Sequence, residues 1–231
     1  MRGRLLGLLA ITLGLAGCAM PQQTVQMRRD FGVSSDTSMG YLVGSIGRKP
    51  VGSYPAYEFS ICDKNHGKIV TLQYKTGLGG FDDKQIDESD YFGQSFAVPL
   101  PAGEYEICGS FTTNPQTPAQ YYKNGVYVPP IGGGGWGPSR PLAIPLKVEA
   151  GKANYIGRYK AVLIKGYNAL GMPVADGSFW VVTDDQATDL PYVLQRNAPL
   201  STLPVVSAVP PKDKLPAPLF VPALPADYKG W

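Results

Sequence analysis

Residues 56–62 read Ala-Tyr-Glu-Phe-Ser-Ile-Cys, which sets Tyr57, Phe59 and Ile61 on one side of an extended chain and Glu58, Ser60 and Cys62 on the other. A period of two suits a strand with one buried face and not an amphipathic helix, whose apolar positions recur every three or four residues. The pattern returns at 104–108, where Tyr105 and Ile107 oppose Glu104, Glu106 and Cys108. Further strand signals lie at 40–47, 67–75 and 177–183, on both sides of Pro101-Ala102-Gly103, and on both sides of a tight turn at Ala150-Gly151. Residues 63–67, Asp-Lys-Asn-His-Gly, read as a hairpin turn in which Asn65 and Gly67 tolerate positive φ. With 28 Gly, 22 Pro and 14 Tyr in 231 residues, short strands and turns outweigh helices. The expectation is a mainly β fold, an antiparallel β-sandwich of about seven to eight strands over residues 40–198.

One C-terminal helix is expected near 184–197. Thr183-Asp184-Asp185-Gln186 fits a capping box, in which the threonine hydroxyl accepts from a backbone N–H and the glutamine reaches back. Asp184 and Asp185 then sit at the positive end of the helix dipole. Pro191 implies a kink or a later start near Asp189, and Pro199 ends the helix. Eight prolines fall within residues 199–231. They predict an extended, polyproline-like tail that buries no core of its own and lies along the domain or a partner.

The amino terminus has a different character. Arg2 and Arg4 precede an apolar run from Leu5 to Ala16 that ends in small residues, the plan of an export signal. The run is too short to span a bilayer, which takes about twenty residues. It closes on Leu15-Ala16-Gly17-Cys18, and here the chain resembles the lipobox of Gram-negative bacterial lipoproteins. The resemblance implies cleavage between Gly17 and Cys18, a diacylglyceryl group on the Cys18 sulfur, and an acyl chain such as palmitate on the new amino terminus. Two or more such chains anchor a protein essentially permanently. Ala19 stands where the inner-membrane retention mark is Asp, so the resemblance implies an outer-membrane anchor, with the domain expected to face the periplasm. Residues 1–17 are then a discarded signal peptide and 18–39 a lipidated tether.

Assigning Cys18 to lipid leaves Cys62 and Cys108 as an even pair, each following an isoleucine on the polar side of its strand. If the two strands are neighbours a disulfide closes, and an oxidising compartment preserves it. Two buried thiols and a redox pair are the other readings; no Cys-x-x-Cys supports the latter. The segments Pro-Leu-Pro-Ala-Gly-Glu-Tyr-Glu-Ile (99–107) and Leu-Lys-Val-Glu-Ala-Gly-Lys-Ala-Asn-Tyr-Ile-Gly-Arg-Tyr (146–159) resemble those of transthyretin-like and carboxypeptidase-regulatory-like sandwiches in bacterial lipoproteins. That resemblance implies a non-catalytic envelope domain with no defined ligand.

Charge narrows the partners. Removing Arg2 and Arg4 from the 21 basic residues leaves 19 against 18 acidic ones, so a mature chain is near neutral. No basic patch is dense enough for nucleic acid. His66 is the only histidine and sits in a turn, without the further ligands of a zinc site or the neighbours of a catalytic triad. Gly-x-Ser-x-Gly and Ser-x-x-Lys are absent. Residues 132–137, Gly-Gly-Gly-Gly-Trp-Gly, satisfy the dinucleotide fingerprint in form only, because Pro138-Ser139-Arg140-Pro141 stops the helix that would receive a pyrophosphate. Five carboxylates between Asp82 and Asp90 lack the alternate-ligand spacing of a calcium loop and read as a solvated stretch of the polar loop 77–94. Glycoside hydrolysis needs two carboxylates across a cleft, one with a raised pKa, which a polar loop does not provide. No catalytic residue, metal or cofactor is therefore expected beyond the lipid on Cys18. The remaining feature is Trp136 in the irregular stretch 113–140, with Tyr121, Tyr122 and Tyr127, aromatics suited to stacking on a sugar or a partner protein. The expected function is a non-enzymatic, outer-membrane-anchored accessory or binding module with an envelope protein or glycan as partner. The alternatives are an envelope hydrolase or carbohydrate-active enzyme, and a purely structural protein.

Overall fold

The alternating runs become two facing sheets. The computed structural model describes residues 23–24, 33, 36–50, 56–63, 67–74, 84–114, 121–123, 126–128, 134–138 and 140–229. The signal and lipobox residues through Gly17 and Cys18, His66 and its turn, Asp82, Asp83 and Gly132–Gly133 lie outside the described residues. In chain order the strands are β1 (Gln23–Thr24), β2 (Met39–Arg48), β3 (Tyr57–Asp63), β4 (Gly67–Tyr74), β5 (Ile86–Glu88), β6 (Tyr91–Pro101), β7 (Gly103–Asn114), β8 (Tyr121–Lys123), β9 (Val126–Val128), β10 (Gly134–Trp136), β11 (Ile144–Val148), β12 (Ala153–Tyr167), β13 (Pro173–Thr183), β14 (Val205–Ser207) and β15 (Phe220–Val221). The one α-helix among the described residues, α1, spans Gln186–Arg196.

The first sheet runs β1-β4-β3-β7-β10, with β11 also on β7; the second runs β15-β13-β12-β2-β6-β5, with β14 beside the start of β12. Their inner faces share one core, in which Phe59, Leu72 and Ile107 of the first sheet meet Leu42, Tyr159 and Trp180 of the second. The Phe59 ring lies 4.6 Å from Tyr159 and 5.8 Å, edge-on, from Trp180. Trp180 Nε1 donates across the layers to Ser110 Oγ at 2.7 Å, so the indole is buried without an orphaned donor. Each fully buried large apolar side chain contributes about 1.5–3 kcal/mol.

Most pairings are antiparallel, but the central pair β2–β12 is parallel, as are β1–β4, β12–β14 and β13–β15. The close approach of β2 and β12 depends on glycine: a Cβ on Gly44 would meet the Gly157 carbonyl oxygen at 2.5 Å, and Gly157 itself has φ +114°.

Several expectations need correction. The loop 77–94 contains β5, paired antiparallel with β6, whose own first residue is Tyr91. The stretch 113–140 contains the β8–β9 ladder and β10, which extends the first sheet along β7. Residues 18–39 include β1, which pairs with Val70–Thr71. The tail also does more than lie alongside. Leu200, Leu215 and Phe220 are buried in the body, and the proline-free steps Val205–Ser207 and Phe220–Val221 pair with β12 and β13. Proline cannot donate to a ladder, so the pairing is confined to these short steps. At α1, Asp185 rather than Thr183 is the N-cap and makes no side-chain cap bond; Thr183 Oγ1 instead donates to Asp185 Oδ2 at 2.5 Å. Pro191 lies inside the helix.

Candidate functional site

Two places gather side-chain chemistry, both on the outer face of the second sheet. The first lies under α1. The helix sets Asp189 against the sheet, completely buried, and Arg158 on β12 reaches it from below. Arg158 Nη2 donates to Asp189 Oδ1 at 2.6 Å and Nε to the same oxygen at 3.0 Å, while Nη1 donates to Glu88 Oε2 at 2.6 Å. Asp189 Oδ2 accepts from Ser45 Oγ at 2.7 Å and from the Tyr155 hydroxyl at 2.8 Å. Tyr91 donates to Ser45 Oγ at 3.0 Å and lies under the guanidinium, 4.4 Å from ring centroid to Cζ. Burial works against the Arg158 cation, but hydrogen bonds to Glu88 and Asp189 outweigh it and hold the guanidinium above its ordinary range. Burial, then the Asp189 charge, raises the Tyr155 phenol, and burial raises Tyr91. The donors and acceptors here are spent on one another, so the cluster fastens the helix to the sheet.

Glu88 belongs to the acidic run expected to be solvated. Instead Glu88 pairs with Arg158, Asp87 with Lys84 at 2.9 Å and Asp90 with Lys160 at 2.7 Å. Among the described carboxylates of the run, Glu88 and Asp90 tie the β5–β6 hairpin to β12, while Asp87 and Asp90 remain 60% exposed, as a solvated stretch would be. Among the described residues, no group of three or more His, Cys, Asp or Glu is placed to hold a metal ion.

The second place is open to solvent. Where β12 and β13 run out toward their turn, a groove of about 560 Å³ lies between that hairpin and the tail, with Ile164, Tyr167, Phe179, Leu219, Val221 and Tyr228 among its walls. Lys165, Asp227 and Lys229 also line it. Tyr228 closes one end: its hydroxyl donates to the Leu163 carbonyl at 3.0 Å and its ring stands edge-on to Phe179 at 5.7 Å. The turn beyond the groove is ordered. Asn168 Oδ1 accepts from the backbone N–H groups of Leu170 and Met172, each at 3.0 Å, and Gly171 takes φ +73°. Leu170 is nonetheless 81% exposed, Tyr167 66% and Met172 51%.

Cys62 and Cys108 are joined, with Cα atoms 5.8 Å apart. The register explains the approach: Ser60 pairs with Gly109 but Ile61 with Ile107, so Cys108 is the extra residue of a β-bulge, turned toward Cys62 on the next strand. In the β8–β9 ladder Tyr122 stands opposite Tyr127 and Tyr121 opposite Val128, and Trp136 of β10 stands opposite Thr112. The backbone therefore groups Tyr121, Tyr122 and Tyr127; their side chains and that of Trp136 lie outside the described residues. The sequence reading missed both the Arg158–Asp189 cluster and the groove. Signals existed: a lone arginine in the apolar run of β12, and apolar residues flanking a glycine in a turn where polar ones are usual.

No protein-family model, curated protein or solved structure is significantly similar to the chain.

Proposed function

We propose that the chain is a non-enzymatic lipoprotein of the Gram-negative outer membrane, anchored through lipid on Cys18, whose two-sheet body is a transthyretin-like sandwich serving as an accessory or binding module. The observation that carries the anchor is the cysteine count. Cys62 and Cys108 are bonded to each other, which leaves Cys18, directly after Leu15-Ala16-Gly17, as the odd cysteine behind an export signal. Binding rather than catalysis is favoured by where the charges go. The buried cluster under α1 is consumed in holding the helix, whereas the accessible concave surface is largely apolar, as recognition surfaces are at their centres. The partner is an envelope protein or glycan, met by the aromatic segment 121–136.

Metabolic labelling with a palmitate analogue tests the anchor. Label is expected on the wild-type chain and lost in Cys18→Ser; label that persists in the variant overturns it. In-cell crosslinking from positions 122 and 136 tests the binding reading, which fails if only solvent-quenched, uncrosslinked protein is recovered.

A further inference from the structure

Among the described residues six large apolar side chains stand exposed, and four of them, Ile164, Tyr167, Leu170 and Met172, lie on the one β12–β13 hairpin end. A fifth, Leu224, lies in the tail between Val221 and Pro225, which wall the adjoining groove. This end thus carries a convex apolar element, the Leu170–Met172 turn, and beside it a concave one of the same chemistry. We propose that it is the surface through which two copies of this chain associate, the turn of each seated in the groove of the other.

A two-fold interface demands that a patch complement itself, so that if one residue of the first copy touches another of the second, the reverse contact forms as well. A knob and a groove side by side meet that demand. The Asn168 bonds and Gly171 fix the turn beforehand, so little conformational freedom is lost when Leu170 and Met172 are buried. The rim carries both signs, with Lys165 and Lys229 beside Asp227, and a two-fold rotation can set unlike charges opposite one another. A bilayer would suit the convex turn but would leave the groove unused. Moreover Thr112 Oγ1 and Ser178 Oγ lie 2.7 Å apart, which places the Tyr74 end of β4 at the hairpin end. Since β1 runs parallel to β4, the chain enters β1 from the opposite, Gly67 end.

The inference goes beyond the binding-module reading and does not need the lipid. It is tested in membranes holding the full chain by co-expressing two variants with one added cysteine each, Leu170→Cys and Lys229→Cys. The expected result is a mixed disulfide of twice the monomer mass, absent when Met172→Asp is added to the first variant. Light scattering of the purified full chain should then show a dimer, with Leu170→Asp weakening self-association at least tenfold and leaving the melting curve unchanged at dilutions where both chains are monomeric. A wild-type monomer throughout, absence of the mixed crosslink, or Leu170→Asp releasing the chain from lipid vesicles while its mass is unaltered would each overturn the proposal. Loss of palmitate labelling has no bearing on these readouts, so the failure of one reading is separable from that of the other.

Discussion

Arg158 Nη2 lies 2.6 Å from Asp189 Oδ1, with the two side chains 7% and 0% exposed, and through this pair α1 is held to the second sheet. Removing one member of a buried ion pair strands the other, at a cost of about 3–5 kcal/mol, whereas replacing both by apolar residues is often neutral. Asp189→Ala should therefore destabilise the chain by about 3–5 kcal/mol in urea unfolding. Asp189→Leu combined with Arg158→Met should recover most of that loss, short of what Ser45, Glu88 and Tyr155 lose with their partners. A double-variant loss equal to the sum of the two single losses would show that the pair does not act as a unit.

Buried tyrosines set an alkaline limit. Burial holds the phenols of Tyr91, Tyr155 and Tyr159 above their ordinary value, and the Asp189 charge adds to the rise at Tyr155. An unfolded tyrosine titrates near pH 10. Below that pH both states keep the proton and the contribution is fully present; above it the unfolded state loses protons the folded state retains, and stability falls. Urea midpoints should hold steady up to about pH 9 and fall beyond about pH 10. The 295 nm tyrosinate signal should rise together with unfolding, and Tyr91→Phe should make the fall shallower.

How much of this was legible depended on whether a residue's role is local. Tyr57, Phe59 and Ile61 announce their strand by alternation alone, and β3 and β7 lie where that pattern places them. Cys62 and Cys108 could be paired because count and facing agree, although the bulge that aims Cys108 depends on register between strands. The parallel β2–β12 pair is a property of chain routing, and nothing in either strand's own pattern states it. Proline content marks residues 199–231 as poor in regular structure, which they are, but does not reveal that Phe220 completes the core. Asp189 is four residues after the cap Asp185, in the first turn where an acid ordinarily serves the dipole; only the tertiary fold sets Arg158 beneath it.

Tyr159 presents the converse of the paired cluster. Its hydroxyl is buried with no hydrogen-bond partner among the described residues, while its ring packs 4.6 Å from Phe59. An unsatisfied buried polar group costs about 1–3 kcal/mol, and phenylalanine keeps the ring without it. Tyr159→Phe should raise stability by roughly 1 kcal/mol, read as a higher melting temperature in calorimetry. Tyr155→Phe should lower it, because that hydroxyl donates to Asp189. If both changes acted in the same direction, hydrogen-bond satisfaction would not be what separates the two sites.

The tail's membership of the folding unit can be read from Phe220. Its ring stacks on Trp180, 6.3 Å between centroids at 16°, and the side chain is fully buried, while the Leu219 carbonyl accepts from Trp180 N at 2.7 Å. Truncating a buried aromatic removes its transfer energy and leaves a cavity, for about 3–5 kcal/mol together. Phe220→Ala should therefore lower the urea midpoint by that amount. Lys212→Ala, at an exposed position of the same segment, should stay within about 0.5 kcal/mol of wild type. A tail that merely lay against the body would fray independently, and Phe220→Ala would then loosen amide protection at 205–229 without shifting global unfolding. Because Phe220 meets the indole that also bonds Ser110 of the first sheet, its loss should reach both sheets, and protection should fall in β7 and β13 alike.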